Sequence, residues 1–118
     1  MTKATHALGS HGERLAAAHL TAAGMAILDR NWRCRDGEID LIARDGAVLA
    51  IVEVKTRRGV RYGTAAEAVT PAKVQRLRRL ATAWLSATGI RAATVRIDVV
   101  AVQLSANGLT IEHLPGVG

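Results

Sequence analysis

Two β-rich runs joined by a tight turn constrain this chain more than any other feature. Residues 38–44 and 47–56 are dominated by apolar side chains, and Asp45-Gly46 between them is a strong hairpin signal. We therefore predict an antiparallel pair of strands. The uninterrupted apolar stretch 48–52 indicates that the second strand is buried in the middle of a larger sheet.

Charged residues interrupt both predicted strands. Asp40 lies within the apolar part of the first strand, and Glu53 and Lys55 directly follow the apolar part of the second. Charges in a buried strand are costly unless they are paired or bound to a metal. With Asp45-Gly46 as a two-residue turn, Asp40 would lie opposite Ile51. The alternation of side chains would then place four charged residues on one face of the sheet: Glu38, Asp40, Glu53 and Lys55.

This placement predicts a candidate metal site. Asp40 and Glu53 would be diagonal neighbours, with α-carbons roughly 7–8 Å apart, which suits two carboxylates around one divalent cation. Oxygen ligands favour Mg²⁺ or Mn²⁺ over zinc. Lys55 would orient a water molecule or stabilise charge on a phosphate. The alternative is an exposed hairpin end, on which Glu53 forms a salt bridge with Lys55 or a nearby arginine.

The first helix carries a further candidate residue, Glu13. Ser10-His11-Gly12-Glu13 fits a capping box, which predicts a helix that begins at Ser10 and stops near Gly24. Residues 1–9 would then form a flexible tail, and residues 10–118 a single domain. Glu13 also shares the helix face that should pack on the sheet, so we expect a capping role, an active-site role or both.

The remaining elements complete an α/β fold. Thr70-Pro71 predicts the start of a second helix that ends before Gly89. A short strand over 25–33 and two further strands over 94–103 and 109–114 give the order α-β-β-β-α-β-β, a mixed sheet flanked by helices. Asp98, in the first of the last two strands, is either another carboxylate of the site or the partner of Arg96 in an ion pair.

The charge balance favours a polyanionic partner. The 118 residues include 16 Lys or Arg and 10 Asp or Glu, a net charge of +6, and nucleic acid is the commonest polyanion in a cytoplasm. The alternative is a solvated basic face. A single cysteine excludes an intramolecular disulfide, and no apolar stretch is long enough to cross a bilayer, so we expect a cytoplasmic protein without membrane contact. The expected phosphate contacts lie in the loop and second helix that follow the carboxylates: Arg57, Arg58, Arg61, Lys73, Arg76 and Arg79.

Four motifs in order resemble a known family. They are His11-Gly12-Glu13, Arg30-Asn31-Trp32-Arg33, the run 37–43 and the run 52–57. Over residues 9–113 the chain resembles the YraN-like family of uncharacterised bacterial proteins. That family is similar to the PD-(D/E)xK nuclease superfamily, which has a restriction-endonuclease-like core and includes archaeal Holliday-junction resolvases.

The resemblance implies a role for each charged residue of the site. Asp40 corresponds to the motif aspartate, Glu53 to the second acidic metal ligand, Lys55 to the motif lysine, and Glu13 to a glutamate on the first helix that completes the site. The implied activity is Mg²⁺- or Mn²⁺-dependent hydrolysis of phosphodiester bonds in structured or branched DNA. Symmetric cleavage would need a homodimer. The alternative is a non-catalytic nucleic-acid-binding module of the same fold that acts in DNA repair or processing.

Overall fold

The computed structural model describes residues 3–58 and 69–118 of the chain. Their elements are α1 (Lys3–Ala22), β1 (Ala26–Cys34), β2 (Gly37–Asp45), β3 (Val48–Arg58), α2 (Pro71–Thr88), β4 (Thr94–Ser105) and β5 (Gly108–Leu114). The strands form one sheet in the order β1-β2-β3-β4-β5, in which β3 and β4 are parallel and the other pairs are antiparallel. The predicted mixed α/β fold and its element order are confirmed.

The two helices cover opposite faces of the sheet. Alternate residues of β3 point to opposite sides, so Ala50 and Val52 pack in the cluster that contains α1, and Leu49 and Ile51 pack in the cluster that contains α2. Burial on both faces explains why the middle of β3 is continuously apolar. The α2 helix is the crossover that parallel pairing of β3 with β4 requires. Neither helix, within the part of the chain described, is long and apolar enough to cross a membrane.

The start of the first helix differs from the sequence prediction. The helix begins at Lys3, so Ser10 lies within it and cannot act as its N-cap, and the segment predicted as a tail is helical from Lys3 onward. Residues 3–8 contain no Pro or Gly, and alanine and leucine among them favour a helix that passes through Gly9. The helix ends at Ala22, before Gly24 with its positive φ of 96°, close to the predicted stop.

The second helix begins and ends as predicted. Thr70 is its N-cap and accepts a hydrogen bond from the Lys73 amide at 3.2 Å, and Gly89 closes it with a φ of 73°. The strand predicted over 47–56 extends to Arg58, so Arg57 and Arg58 belong to β3 and not to the loop in which the sequence placed them. Arg61 and most of that loop lie outside the described residues.

The hairpin between β2 and β3 turns one residue later than predicted. Asp45 pairs with Val48, so the two-residue turn is Gly46-Ala47, and Ile51 lies opposite Ile42 instead of Asp40. Gly46 has a φ of 61°, which is typical of glycine at the first central position of a hairpin turn. The pairing is shifted by two residues, so the parity of the strand and its faces are unchanged.

Asp98 is a structural ion-pair residue. Its carboxylate is fully buried and accepts two hydrogen bonds from the Arg96 guanidinium, both of 2.8 Å. His113 Nε2 lies 2.8 Å from Oδ2, and the Gly116 amide donates to Oδ1 at 3.1 Å. Although burial raises the pKa of Asp98, these partners together hold it below its ordinary value. The predicted ion pair with Arg96 is confirmed. Asp98 also joins β4 to β5 through His113 and to the C-terminal residues through Gly116.

We expect Asp98→Asn to destabilise the fold by about 3 kcal/mol, because it leaves a partly buried arginine with only the exposed Asp45 as its charged partner. Asp45→Asn removes an exposed partner of the same arginine (3.2 Å) and should cost less than about 0.5 kcal/mol. Since the pKa of Asp98 is lowered in the folded state, its contribution is present at neutral pH and is lost as the pH falls below about 4. Urea unfolding of both variants at pH 7 and at pH 3.5 checks this; equal losses in the two variants would contradict it.

Candidate active site

The sheet divides between β2 and β3. Their last paired residues are Leu41 and Val52. Beyond this pair β2 remains paired with β1, whereas β3 remains paired with β4 as far as Arg58. Asp40 and Glu53 are the first residues of the two strands past the last pair. We call this opening, between residues 37–40 and residues 53–58, the fork.

Asp40 and Glu53 contact each other in the fork. Asp40 Oδ2 accepts a hydrogen bond of 2.8 Å from the Val54 amide, and the two carboxyl groups are hydrogen-bonded to each other. Glu53 is 8% exposed, and its Oε2 lies 2.8 Å from the Lys73 ammonium, in an ion pair that is not an aligned hydrogen bond. The two carboxylates are therefore closer than the diagonal neighbours that the sequence predicts.

The contact shifts the pKa values of the two carboxyl groups in opposite directions. Burial, the hydrogen bond to Glu53 and the charge of Glu53 raise the pKa of Asp40 to about 8. Burial opposes ionisation of Glu53 as well, but the hydrogen bond with Asp40 and the Lys73 ammonium lower its pKa overall. At neutral pH Asp40 is therefore protonated and donates to the Glu53 carboxylate, whose charge Lys73 balances.

Lys55 and Glu13 lie beside this pair. Lys55 is on the same side of β3 as Glu53, and its charge contributes to the lowered pKa of Glu53. Within residues 9–58 and 69–118, Lys55 makes no hydrogen bond or ion pair. Burial raises the pKa of Glu13, the neighbouring Asn31 amide lowers it, and the charges of Glu38 and Glu53 add to the rise. The structure thus places Asp40 and Glu53 in contact with Lys55 beside them, and Glu13 near enough for its charge to raise the pKa of Asp40.

Gly12 explains how α1 reaches the fork. It is buried against Thr56 of β3, and a Cβ atom at this position would collide with the threonine hydroxyl. The helix backbone therefore lies directly on β3, which brings the next residue, Glu13, close to the carboxylates. The sequence prediction assigned no role to Gly12. A glycine inside a helix, which costs stability compared with alanine, is the signal that could have revealed this contact.

The predicted phosphate-binding residues occupy three places. Arg57 and Arg58 lie at the end of β3, on one side of the fork, and Arg76 and Arg79 are exposed on α2. Lys73, in the first turn of α2, forms the ion pair with Glu53, a contact that the sequence prediction missed. Arg61 lies outside the described residues.

The oxygen donors of the fork are the two carboxyl groups. Among the described residues, no group of three or more His, Cys, Asp or Glu side chains is close enough together to hold a metal ion. A pocket of about 150 Å³ opens on the α1 side, lined by Ser10, Glu13, Arg14, Arg30, Asn31 and Leu41. Glu13 thus faces a solvent-accessible space that is bordered by two arginines.

The raised pKa of Asp40 predicts a pH-dependent stability. A carboxyl group whose pKa rises on folding stabilises the protein fully below its unfolded-state pKa, and this contribution is lost as the pH rises to about 8. We expect the wild-type melting temperature to fall between pH 5 and pH 8.5. Asp40→Asn keeps a neutral donor toward Glu53, so it should melt at least about 5 °C above wild type at pH 8.5 and near wild type at pH 5.

Thermal melts in metal-free buffer check this expectation. Asp36→Asn, which removes an exposed carboxylate in the β1–β2 turn, is the matched control and should follow the wild-type profile. Parallel pH profiles for Asp40→Asn and the wild type would show that Asp40 does not hold the proton.

Known proteins similar to this chain share one family description. Residues 12–102 match "Uncharacterised protein family UPF0102". A UPF0102 protein of Kineococcus radiotolerans is 56% identical over 117 residues, which cover 98% of this chain and 96% of the relative. A UPF0102 protein of Nocardioides sp. is 52% identical over 113 residues, 95% of this chain and 91% of that one. Another, from Beutenbergia cavernae, is 52% identical over 117 residues, 98% and 99% of the two chains. The resemblance to the YraN-like family is therefore confirmed, and the chain belongs to the uncharacterised protein family UPF0102.

Proposed function

We propose that this protein is a nuclease of the restriction-endonuclease-like fold that uses Mg²⁺ or Mn²⁺ to hydrolyse phosphodiester bonds in DNA. The observation that carries the proposal is the fork, where Asp40 and Glu53 lie in contact and Lys55 follows on the same side of β3. Carboxylates beside a basic surface repel phosphate unless a cation lies between them. A protein that only bound nucleic acid would have no use for such a cluster.

The donor set of the fork fits a hard divalent cation. Both residues offer oxygen atoms, which Mg²⁺ and Mn²⁺ prefer. Glu53 Oε2 is buried without an aligned hydrogen bond, and the pair is otherwise balanced by one proton and one ammonium group. A divalent cation would replace both. Asp40 and Glu53 would hold this cation, which supplies Lewis acidity toward a phosphate oxygen and toward an attacking water.

The other residues of the fork act on the phosphate and the water. The Lys55 ammonium, which lacks a partner among the described residues, stabilises the negative charge that develops on the phosphate oxygens. Glu13 supplies a third carboxylate on the α1 side and orients the water. Lys73 neutralises Glu53 when no cation is present, and it becomes free to contact a phosphate once the charge of Glu53 is balanced otherwise.

The basic surface around the fork supports a nucleic-acid substrate. The chain has a net charge of +6, and Arg58 at the end of β3 is exposed. Arg76 and Arg79 are exposed on α2, the helix whose Lys73 contacts Glu53. The family resemblance favours structured or branched DNA. Cleavage of both strands would require two copies of the chain, one for each strand.

A second candidate is a non-catalytic nucleic-acid-binding module. One observation favours it: Lys73 and a shared proton already balance the charge of the carboxylates in the absence of a cation. The two candidates differ in one property, because only the nuclease needs a divalent ion in the fork.

Asp40→Asn and Lys55→Ala should separate metal binding from chemistry. We expect Asp40→Asn to lose Mn²⁺ binding and cleavage, since it removes a ligand. Lys55→Ala should bind Mn²⁺ within about threefold of wild type but cleave at least about 100-fold more slowly, since it removes charge stabilisation in the transition state. Calorimetric Mn²⁺ titration, and cleavage of duplex, branched and single-stranded DNA and of RNA with Mg²⁺ or Mn²⁺, measure the two effects.

Asp36→Asn, with its exposed carboxylate, is the control for the loss of one negative charge and should leave both readouts unchanged. A wild-type protein that binds DNA but neither binds Mn²⁺ nor cleaves any substrate contradicts the nuclease proposal and favours the binding module.

Arg76 and Arg79 should contribute electrostatically to DNA binding. We expect the double variant Arg76→Ala/Arg79→Ala to bind DNA more weakly than wild type, by the same factor for duplexes of different sequence. The slope of log affinity against log salt should fall in magnitude by about two. Arg91→Ala is the matched control, because Arg91 is exposed beyond the far end of α2, near the β2–β3 turn. Fluorescence anisotropy at several salt concentrations measures the slopes; equal slopes in the double variant and the control would contradict the expectation.

A further inference from the structure

The alternation of side chains along β1 reverses at Asn31, because Arg30 lines the pocket on the α1 side whereas Trp32 packs in the cluster that contains α2. Asn31 has a φ of 50°, and it is the one non-glycine residue with a positive φ among the residues described. Asparagine tolerates the left-handed region better than most residues, but the conformation is uncommon in a strand. An outlier of this kind is a reason to look for a function in its surroundings.

The pairing of β1 with β2 shows that the positive φ of Asn31 is not due to a residue inserted in the strand. Arg30 pairs with Leu41 and Trp32 pairs with Ile39, so the pairing of β1 with β2 is the same on either side of Asn31. The one register shift in this ladder lies further back, between Ile27 and Asp29. Asn31 is therefore opposite Asp40, at the level of the fork.

The side chain of Asn31 connects β1 to the first helix. Its amide lies beside the Glu13 carboxylate in the pocket that both residues line, and it favours the ionised form of Glu13. Asn31 belongs to the Arg30–Arg33 motif, to which the proposed reaction assigns no role.

We propose that Asn31 is a positioning residue that holds the Glu13 carboxylate toward Asp40 and Glu53, and that its left-handed backbone exists to aim the amide at Glu13. This inference rests on the proposed function, because it gives Glu13 a place in the same site. Groups that orient an acidic residue of a metal site are required for full metal affinity even though they do not touch the ion.

Asn31→Gly is the sharpest test of this role. Glycine adopts a positive φ without strain, so the variant keeps the backbone and loses only the amide. We expect its melting temperature to stay within about 3 °C of wild type. Mn²⁺ affinity and kcat for DNA cleavage should each fall by about tenfold, with KM within about twofold. Asn107→Gly, the same exchange in the remote β4–β5 turn, should leave Mn²⁺ affinity and kcat unchanged.

A double-mutant cycle tests whether Asn31 acts through Glu13. Glu13→Gln keeps an acceptor for the amide but removes the charge, and it should lower Mn²⁺ affinity. Adding Asn31→Gly to Glu13→Gln should weaken binding by less than about twofold further. Crystal structures of the metal-free wild type and Asn31→Gly give a readout that needs no activity: the Glu13 carboxylate should lose its fixed orientation in the variant.

Three results would overturn the role of Asn31: wild-type Mn²⁺ affinity in Asn31→Gly, losses that multiply fully in the double variant, or an unchanged Glu13 conformation. Each of these, found together with loss of Mn²⁺ binding in Asp40→Asn, would refute the positioning role and leave the nuclease proposal intact. A wild-type protein that binds no Mn²⁺ would refute both.

Discussion

The end of the pairing between β2 and β3 is the constraint on which the candidate site depends. Past Leu41 and Val52 the two strands follow different neighbours, and the backbone groups released there need new partners. Asp40 supplies one by accepting from the Val54 amide. Parallel pairing of β3 with β4 requires the α2 crossover, and the first turn of that helix carries Lys73 to Glu53. β2 remains paired with β1, and Asn31 of β1 carries the amide beside Glu13.

The carboxyl group of Asp98 and the pair formed by Asp40 and Glu53 differ in how completely their oxygen atoms are hydrogen-bonded. Asp98 is held by a bidentate guanidinium, an imidazole and a backbone amide, so it is ionised with partners on both oxygens. Asp40 and Glu53 share one proton, and Glu53 Oε2 has an ammonium neighbour without an aligned hydrogen bond. Burial of charge is costly unless it is fully compensated. Asp98 therefore serves to hold strands together. The charge of the Asp40–Glu53 pair is balanced by a proton and an ammonium group, both of which a cation could replace.

The sequence predicts the faces of the sheet better than its exact pairing. Alternation depends only on parity, so Glu53 and Lys55 share one side of β3 as predicted although the turn is Gly46-Ala47. Asp40 and Glu53 meet past the last β2–β3 pair instead of lying diagonally within the ladder. The start of α1 was predicted wrongly because a Ser-x-x-Glu pattern occurs equally well inside a helix. The contact of Lys73 with Glu53 and the left-handed Asn31 could not be predicted, since both depend on how distant elements meet around the fork.

Anomalous diffraction from crystals equilibrated with Mn²⁺ tests most directly whether the fork is a cation site. The expected result is a peak between the carboxylates of Asp40 and Glu53, with the Lys73 ammonium withdrawn from Glu53 Oε2, because one divalent ion replaces both the shared proton and the ammonium. A fork without a peak, in which Lys73 still contacts Glu53 at saturating Mn²⁺, would contradict the metal-dependent mechanism.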